Sequence, residues 1–189
     1  NIMKIQSIRG THDLYDEQIL KYRKIEKVVN DLAKLYDFDE IITPIFESTD
    51  LFKKPLGEQS DVVLKEMYTF NDKNESSITL RPELTTPLLR AAISNNLLSK
   101  LPCKLYGSGP AFRRERPQKG RYRQFNQINF EIFGSNYYFA DLELITLAND
   151  ILKSILPNSK FILNINCLGE KENLVKYKSN LSKYFEEKK

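Results

Sequence analysis

The chain has 189 residues, 41% hydrophobic and 29% charged, which is enough for a sizeable core and ordinary for a soluble globular domain. No apolar run approaches the ~20 residues that span a bilayer, and the opening NIMKIQSIRGTHD lacks the apolar core of about 7–15 residues that marks a secretory signal, so a cytoplasmic protein without a membrane partner is expected. The net charge is only +4, and the two cysteines, Cys103 and Cys167, lie far apart in apolar surroundings; with His12 the single histidine, reduced buried thiols are expected and no protein metal site.

In chain order, Gly10 and Thr11 suit a turn, and Asp13 or Asp16 is placed to cap the helix that follows. His12 has no metal or triad partner in sequence and reads as structural or exposed. Over residues 16–36, Ile19, Tyr22, Ile25, Val29, Leu32 and Tyr36 recur at spacings of three and four, an amphipathic helix. An apolar strand ending at Pro44 is expected after Asp37, and aspartate tolerates the left-handed turn between them. Thr49–Phe52 reads as a short capped helical turn, Gly57–Val63 as a polar loop, and Lys65–Phe70 as a strand. Asn71–Ser76 is a turn, and Ile78–Leu80 the return strand.

Thr85 or Thr86 ahead of Pro87 makes a hydroxyl-capped helix start, continued by Leu88, Leu89, Ala92, Ile93 and Leu97. Glu83 then stands at a strand-to-helix junction, either complementing the helix dipole or holding a ligand.

The positive charge is concentrated between Arg113 and Arg123. Five arginines (113, 114, 116, 121, 123) and Lys119 face a single acid, Glu115, for a net +5, so the rest of the chain is close to neutral. Apolar and aromatic residues flank the charges, and Pro117 and Gly120 break the middle: strand, basic loop, antiparallel strand. Alternation puts Phe125, Gln127, Asn129 and Glu131 on one face, and Ile128, Phe130 and Ile132 on the core side. Arg113 and Glu115 share a parity on the first strand, opposite Phe112. Such a face suits the floor of a polyanion pocket, because arginine grips phosphate oxygens through parallel hydrogen bonds while an inward carboxylate and amide fix a polar ligand. Beyond it, Asp141 is placed to cap a helix carrying Leu144, Leu147, Ala148, Ile151 and Ile155 on one face. Phe161–Cys167 reads as a strand closed by Gly169, and residues 170–186 as a last helix with Leu174, Tyr177, Leu181 and Tyr184 on one side and a solvated lysine face on the other.

FRRER, the basic loop and RQFNQINFEIFG resemble the second signature motif of class II aminoacyl-tRNA synthetases, and RPQKGRYRQF is similar to that of the histidyl-tRNA synthetases. The resemblance extends over nearly the whole chain. It takes in IRGTHDL, the helix and strand up to Pro44, which resemble the first class II motif and its dimer interface, and Arg81-Pro82-Glu83 followed by threonine. It implies an α+β fold with a class II antiparallel sheet flanked by helices, incomplete at the C-terminal end, the 189 residues being the N-terminal portion of a catalytic domain. The implied activity is ATP-dependent activation of L-histidine and its transfer to tRNA(His) by a homodimer, with ATP and Mg²⁺.

By the same resemblance Arg113 is the catalytic group, bridging the amino-acid carboxylate and the ATP α-phosphate. Glu115 sits near the adenine amino group, Arg121 reaches the outer phosphates and Phe125 stacks on the adenine. Glu83, Thr85, Gln127 and Glu131 hold histidine. Arg116, which precedes Pro117 and begins the loop, is expected to hold the tRNA acceptor end. Asn126, Asp37 and Leu84 depart from residues common in the family. No segment resembles the family's histidine-specific loop, third motif or anticodon-binding domain. The alternative is a non-catalytic paralogue such as the regulatory subunit of ATP phosphoribosyltransferase, against which the presence of Arg113, Glu115, Arg121 and Phe125 counts.

Overall fold

The computed structural model describes residues 5–56, 66–166 and 171–186. The chain divides into two compact units, Asn1–Pro157 and Asn158–Lys189. The expected α+β class is borne out.

In the first unit, helix α1 (Asp16–Leu35) buries Val29 and Ala33. They meet Phe38, Tyr106 and Leu147, with Ile25, Leu32, Phe130, Ile132, Leu144 and Ile151 packed around them. Leu147, Leu144 and Ile151 come from α4 (Tyr138–Ile155), so the two apolar stripes expected from sequence face the same core. The Tyr36 hydroxyl donates to Asp150 at 2.6 Å, pinning the end of α1 to α4. Asp37 takes the left-handed turn (φ 59°) that leads into β1 (Asp39–Glu40).

β1 pairs in parallel with β5 (Cys103–Phe112), and β5 pairs antiparallel with β6 (Gln124–Phe133). The β5–β6 register sets Tyr106 opposite Phe130, Gly109 opposite Gln127 and Ala111 opposite Phe125. A second small antiparallel sheet has the order β2 (Phe46–Ser48), β4 (Ser77–Leu80), β3 (Tyr68–Asn71). Thr79 at its centre shares hydroxyl bonds with Thr49 and Thr69, both at 2.9 Å. Thr49 opens α2 (Thr49–Leu56), longer than the single turn expected. Between β3 and β4 the turn closes through Glu75 N–H to Asp72 C=O at 2.9 Å. From β4 the chain enters α3 (Thr85–Ser94), which buries Thr86, Pro87, Leu88, Ala91 and Ala92. Leu84 and Leu88 pack with Ala111, Ile41 and Phe125.

Several expectations are corrected. Neither Asp13 nor Asp16 caps α1: Tyr15 occupies that position without a side-chain bond. Asp141 lies inside the first turn of α4, behind Tyr137 at the cap. No threonine hydroxyl caps α3, because the Glu83 carboxylate takes the Thr86 N–H instead (3.0 and 3.3 Å). Ile93 is exposed although it lies within α3, and Leu97 falls in a short 3-10 turn because α3 ends at Ser94. The strand expected up to Pro44 shrinks to the two residues of β1, and the chain then crosses to the other sheet at β2. Cys103 is free but only half-buried. The loop at Gly57–Val63, Lys65, Cys167 and Gly169 lie outside the described residues.

In the second unit, residues 161–166 form no strand, and Ile162, Leu163 and Ile165 are exposed. Helix α5 (Lys171–Glu186) forms as expected, with Tyr177, Leu181 and Tyr184 exposed. Among the described residues no helix is long and apolar enough to cross a membrane.

Candidate active site

The basic segment is a hairpin. Regular pairing of β5 stops at Phe112, one residue short of Arg113, yet the Arg113 N–H still donates to Arg123 C=O at 2.9 Å, so the ladder carries the arginine to the strand mouth. Its loop is closed by Gln118 and Arg121, whose N–H and C=O groups bond each other at 2.9 and 3.2 Å. From outside, the Gly10 carbonyl accepts the Arg123 N–H at 2.8 Å, and His12 packs edge-on against Tyr122 with ring centres 4.3 Å apart. His12 is therefore a packing residue of the loop's support.

Within the hairpin, the largely buried carboxylate of Glu115 sits between two guanidiniums. Arg113 Nη1 is 3.9 Å from one oxygen and Arg121 Nη1 3.4 Å from the other. Arg113 also donates its Nε–H to the Pro82 carbonyl at 2.9 Å and lies over the Phe125 ring, 5.1 Å from its centroid. Arg121 is mostly exposed. Arg116 joins Glu66, Arg114, Gln118 and Arg121 around an open cleft of about 260 Å³ on the loop side of Glu115. Among the expected site residues, Arg113, Glu115, Arg121 and Phe125 are thus in mutual reach, with Arg116 beside them.

The second group gathers where β6 passes the start of α3. Glu83 is buried as the cap of α3, and Thr85 is the helix's first residue. Asn129 donates its side-chain amide to the Thr85 hydroxyl at 2.6 Å and, at 3.4 Å, to Glu131 Oε1. Asn129 thereby ties Thr85 to Glu131. Its alternation was visible in sequence, but no role followed from it until α3 was seen to cross β6. Gln127 is half-buried, and its Oε1 is buried without a hydrogen-bond partner, an acceptor left for an incoming donor. Pro82, Glu83 and Thr85 stand in one short run that touches both groups.

The other face of the hairpin departs from expectation. Phe130 and Ile132 join the core, but Ile128 is partly exposed. With Asn126 it lines a cavity of about 670 Å³ against α1, along with Tyr22, Glu26, Asn30 and Tyr106. The expected core face is filled only at its α4 end.

This arrangement is an arginine-lined antiparallel hairpin beside a helix whose N-terminus is closed by a buried glutamate. The crystal structure of apo Staphylococcus aureus histidyl-tRNA synthetase has the same fold, with a TM-score of 0.67 and 39% identity over 79% of this chain and 34% of that one. A Bacillus halodurans protein described as an ATP phosphoribosyltransferase regulatory subunit/histidyl-tRNA synthetase shares the fold at TM-score 0.69, but at 22% identity over 82% of this chain and 39% of that one. The class is therefore that of the class II aminoacyl-tRNA synthetase catalytic fold.

Within that class, the histidyl-tRNA synthetase family model matches residues 10–187. A histidine–tRNA ligase from Wolbachia pipientis wMel is 49% identical over 183 residues, and one from Orientia tsutsugamushi (strain Ikeda) 47% identical over 184; each alignment covers 97% of this chain. The chain belongs to the histidyl-tRNA synthetase family. It spans 44% of the length of these two relatives.

Proposed function

We propose that this chain is the N-terminal portion of the catalytic domain of a histidine–tRNA ligase, which activates L-histidine with ATP and transfers it to tRNA(His). In the first step the histidine carboxylate attacks the α-phosphorus of ATP, a mixed-anhydride oxygen–phosphorus bond forms as the α–β phosphoanhydride bond breaks, and pyrophosphate leaves. In the second, a terminal hydroxyl of the tRNA attacks the activated carbonyl and AMP leaves. Both partners in the first step are anions, so the site must neutralise them and hold them in line.

The observation that carries the reading is the placement of Arg113. Its Nε is tied to the Pro82 carbonyl and its plane lies over Phe125, while its Nη1 meets Glu115 only at 3.9 Å, a long ion pair that an incoming anion can share. Arg113 is then the group that bridges the histidine carboxylate and the α-phosphate. Arg121, exposed on the loop, reaches the outer phosphates, while Phe125 takes the adenine ring and Glu115 its amino group. The histidine side is assigned to Glu83, Thr85, Gln127 and Glu131. The orphaned Gln127 Oε1 supports this, because the α-amino group and imidazole N–H of histidine are donors. Arg116 is assigned to the tRNA acceptor end.

Magnesium would enter with the nucleotide phosphates. Glu115 is already engaged by two guanidiniums, and among the described residues no three metal-ligating side chains cluster, so these residues do not form a protein cage for the ion and no step is assigned to it. A homodimer and a cytoplasmic setting go with the reading.

The test is histidine-dependent exchange of pyrophosphate into ATP by the full-length protein, followed by charging of tRNA(His). Binding of histidine without exchange would favour the regulatory-subunit type of paralogue and end this reading.

A further inference from the structure

Arg81, which follows β4, is 3% exposed. The oxygens that hold its guanidinium carry no charge. Nε donates to Pro110 C=O at 2.8 Å, and Nη1 donates to both the carbonyl and the hydroxyl of Thr43 at 3.0 Å, and more weakly to Pro44 C=O at 3.4 Å. Its backbone is engaged too: the N–H donates to Ile45 C=O and the C=O accepts the Phe112 N–H, both at 2.9 Å. Burial pulls its pKa below the ordinary arginine value, opposed by the charge of Glu47. That glutamate is itself bonded by Arg90, at 2.6 and 3.0 Å. A guanidinium taken out of water without a carboxylate of its own among the described residues is a costly choice for stability alone.

What the clamp achieves lies one residue further on. Residues 43–45, 81 and 110–112 are three separate passes of the chain, and Arg81 bonds the first and third with one planar fork and its own backbone. Pro82 follows directly, and its carbonyl receives the Arg113 Nε–H. Glu83 comes next, capping α3. The aim of Arg113 and the start of the histidine-side helix therefore both hang on where residue 81 is held.

We infer that Arg81 is a positioning residue for the adenylation site: its buried fork fixes the Pro82 carbonyl against β5, and that carbonyl orients Arg113. This rests on the proposed activation of histidine. A lysine would keep the charge but offers no planar fork to bond Pro110 and Thr43 together.

The test compares histidine-dependent ATP–pyrophosphate exchange and melting temperature in the full-length protein for the wild type, Arg81→Lys, Arg113→Ala and the double variant. Arg81→Lys should lower kcat roughly a hundredfold, the scale of a misplaced reacting group, with KM for ATP and histidine little changed. The double variant should be no slower than Arg113→Ala by more than a factor of about three, because both losses pass through one guanidinium. Losses that multiply, or wild-type kcat in Arg81→Lys, overturn the inference. Should Arg81→Lys fail to fold, Thr43→Val, which deletes one acceptor, carries the same cycle with a smaller single loss. A wild-type protein without exchange would instead overturn the proposed activity. Arg81 is then judged by the Arg113 Nε–H resonance, which should be slow to exchange with solvent in the wild type and fast in Arg81→Lys; equal exchange rates overturn the inference.

Discussion

The guanidinium of Arg113 lies over the ring of Phe125, 5.1 Å from its centroid, while its Nε–H is spent on the carbonyl of Pro82. A cation held on both its edge and its face is pre-organised before any ligand arrives. Arg116 is exposed and precedes Pro117 in the loop, and among the described residues it has no comparable seat. In the full-length protein Arg113→Ala should therefore remove most ATP–pyrophosphate exchange, a loss of several kcal/mol in transition-state stabilisation. Arg116→Ala should leave exchange largely intact and slow transfer to tRNA, with the deficit shrinking at higher salt as the phosphate contact itself weakens. Equal damage to exchange by both substitutions would refute the division between ladder and loop.

Glu83 offers a separable pair of effects. Its carboxylate accepts the Thr86 N–H, so Glu83→Ala should cost about 1 kcal/mol of stability as a lost helix cap. Glu83→Gln keeps an oxygen acceptor and should retain most of that stability, yet raise KM for histidine, whose ammonium group loses its counter-charge. Denaturant melts and exchange kinetics on the two variants check this; unchanged KM in Glu83→Gln would reduce Glu83 to a cap.

Gly10 should tolerate no side chain. Its φ is +90°, and a Cβ there would stand 2.9 Å from both Arg123 Cγ and Pro117 Cγ. Gly10→Ala should push the opening segment off the hairpin and release the Arg123 amide, now bonded to the Gly10 carbonyl. Hydrogen exchange at that amide should accelerate about tenfold or more, with little change in the α1–α4 core. An exchange rate equal to the wild type's would show that the contact holds nothing.

The apolar side chains of Ile42, Ile45 and Phe46 are exposed along the segment that resembles a dimerisation element. The full-length protein should sediment as a two-fold dimer at micromolar concentration, and Ile42→Glu should shift it towards monomer. A clean wild-type monomer would contradict this.

The parts of the fold that were legible in sequence are those set by periodicity. The stripe from Ile25 to Tyr36, its counterpart at Leu144, Leu147 and Ile151, and the alternation of Phe125, Gln127, Asn129 and Glu131 all reappear as faces of single elements. Asp37 could be read as well, because few residues sit easily at positive φ. Caps were less legible. Asp13, Asp16, Thr85 and Asp141 all had the right chemistry, but Glu83 reached the Thr86 amide that a local hydroxyl was expected to take. The strand expected from Phe161 shows the same limit: residues 161–166 have the apolar alternation but form no strand, because a strand also needs a ladder of paired neighbours. Arg81 was visible in sequence only as the start of the Arg81-Pro82-Glu83 run, and its role as a clamp was not legible. In sequence it is one cation among 29, and only the crossing of three chain segments around it turns a charge into a clamp.

The residue that makes room for that clamp is Gly109. Its φ is +151°, and a Cβ there would stand 2.6 Å from the Arg81 Nη2. The two positions are thus linked through occupied volume. An alanine at 109 acts as an intruder: it must expel the guanidinium or be expelled by it. In a library randomised at both positions, survivors with a side chain at 109 should carry a shorter residue at 81. Those survivors would have exchanged an inherited electrostatic joint for a packed one, and their fold could outlive the loss while the aim of Arg113 could not.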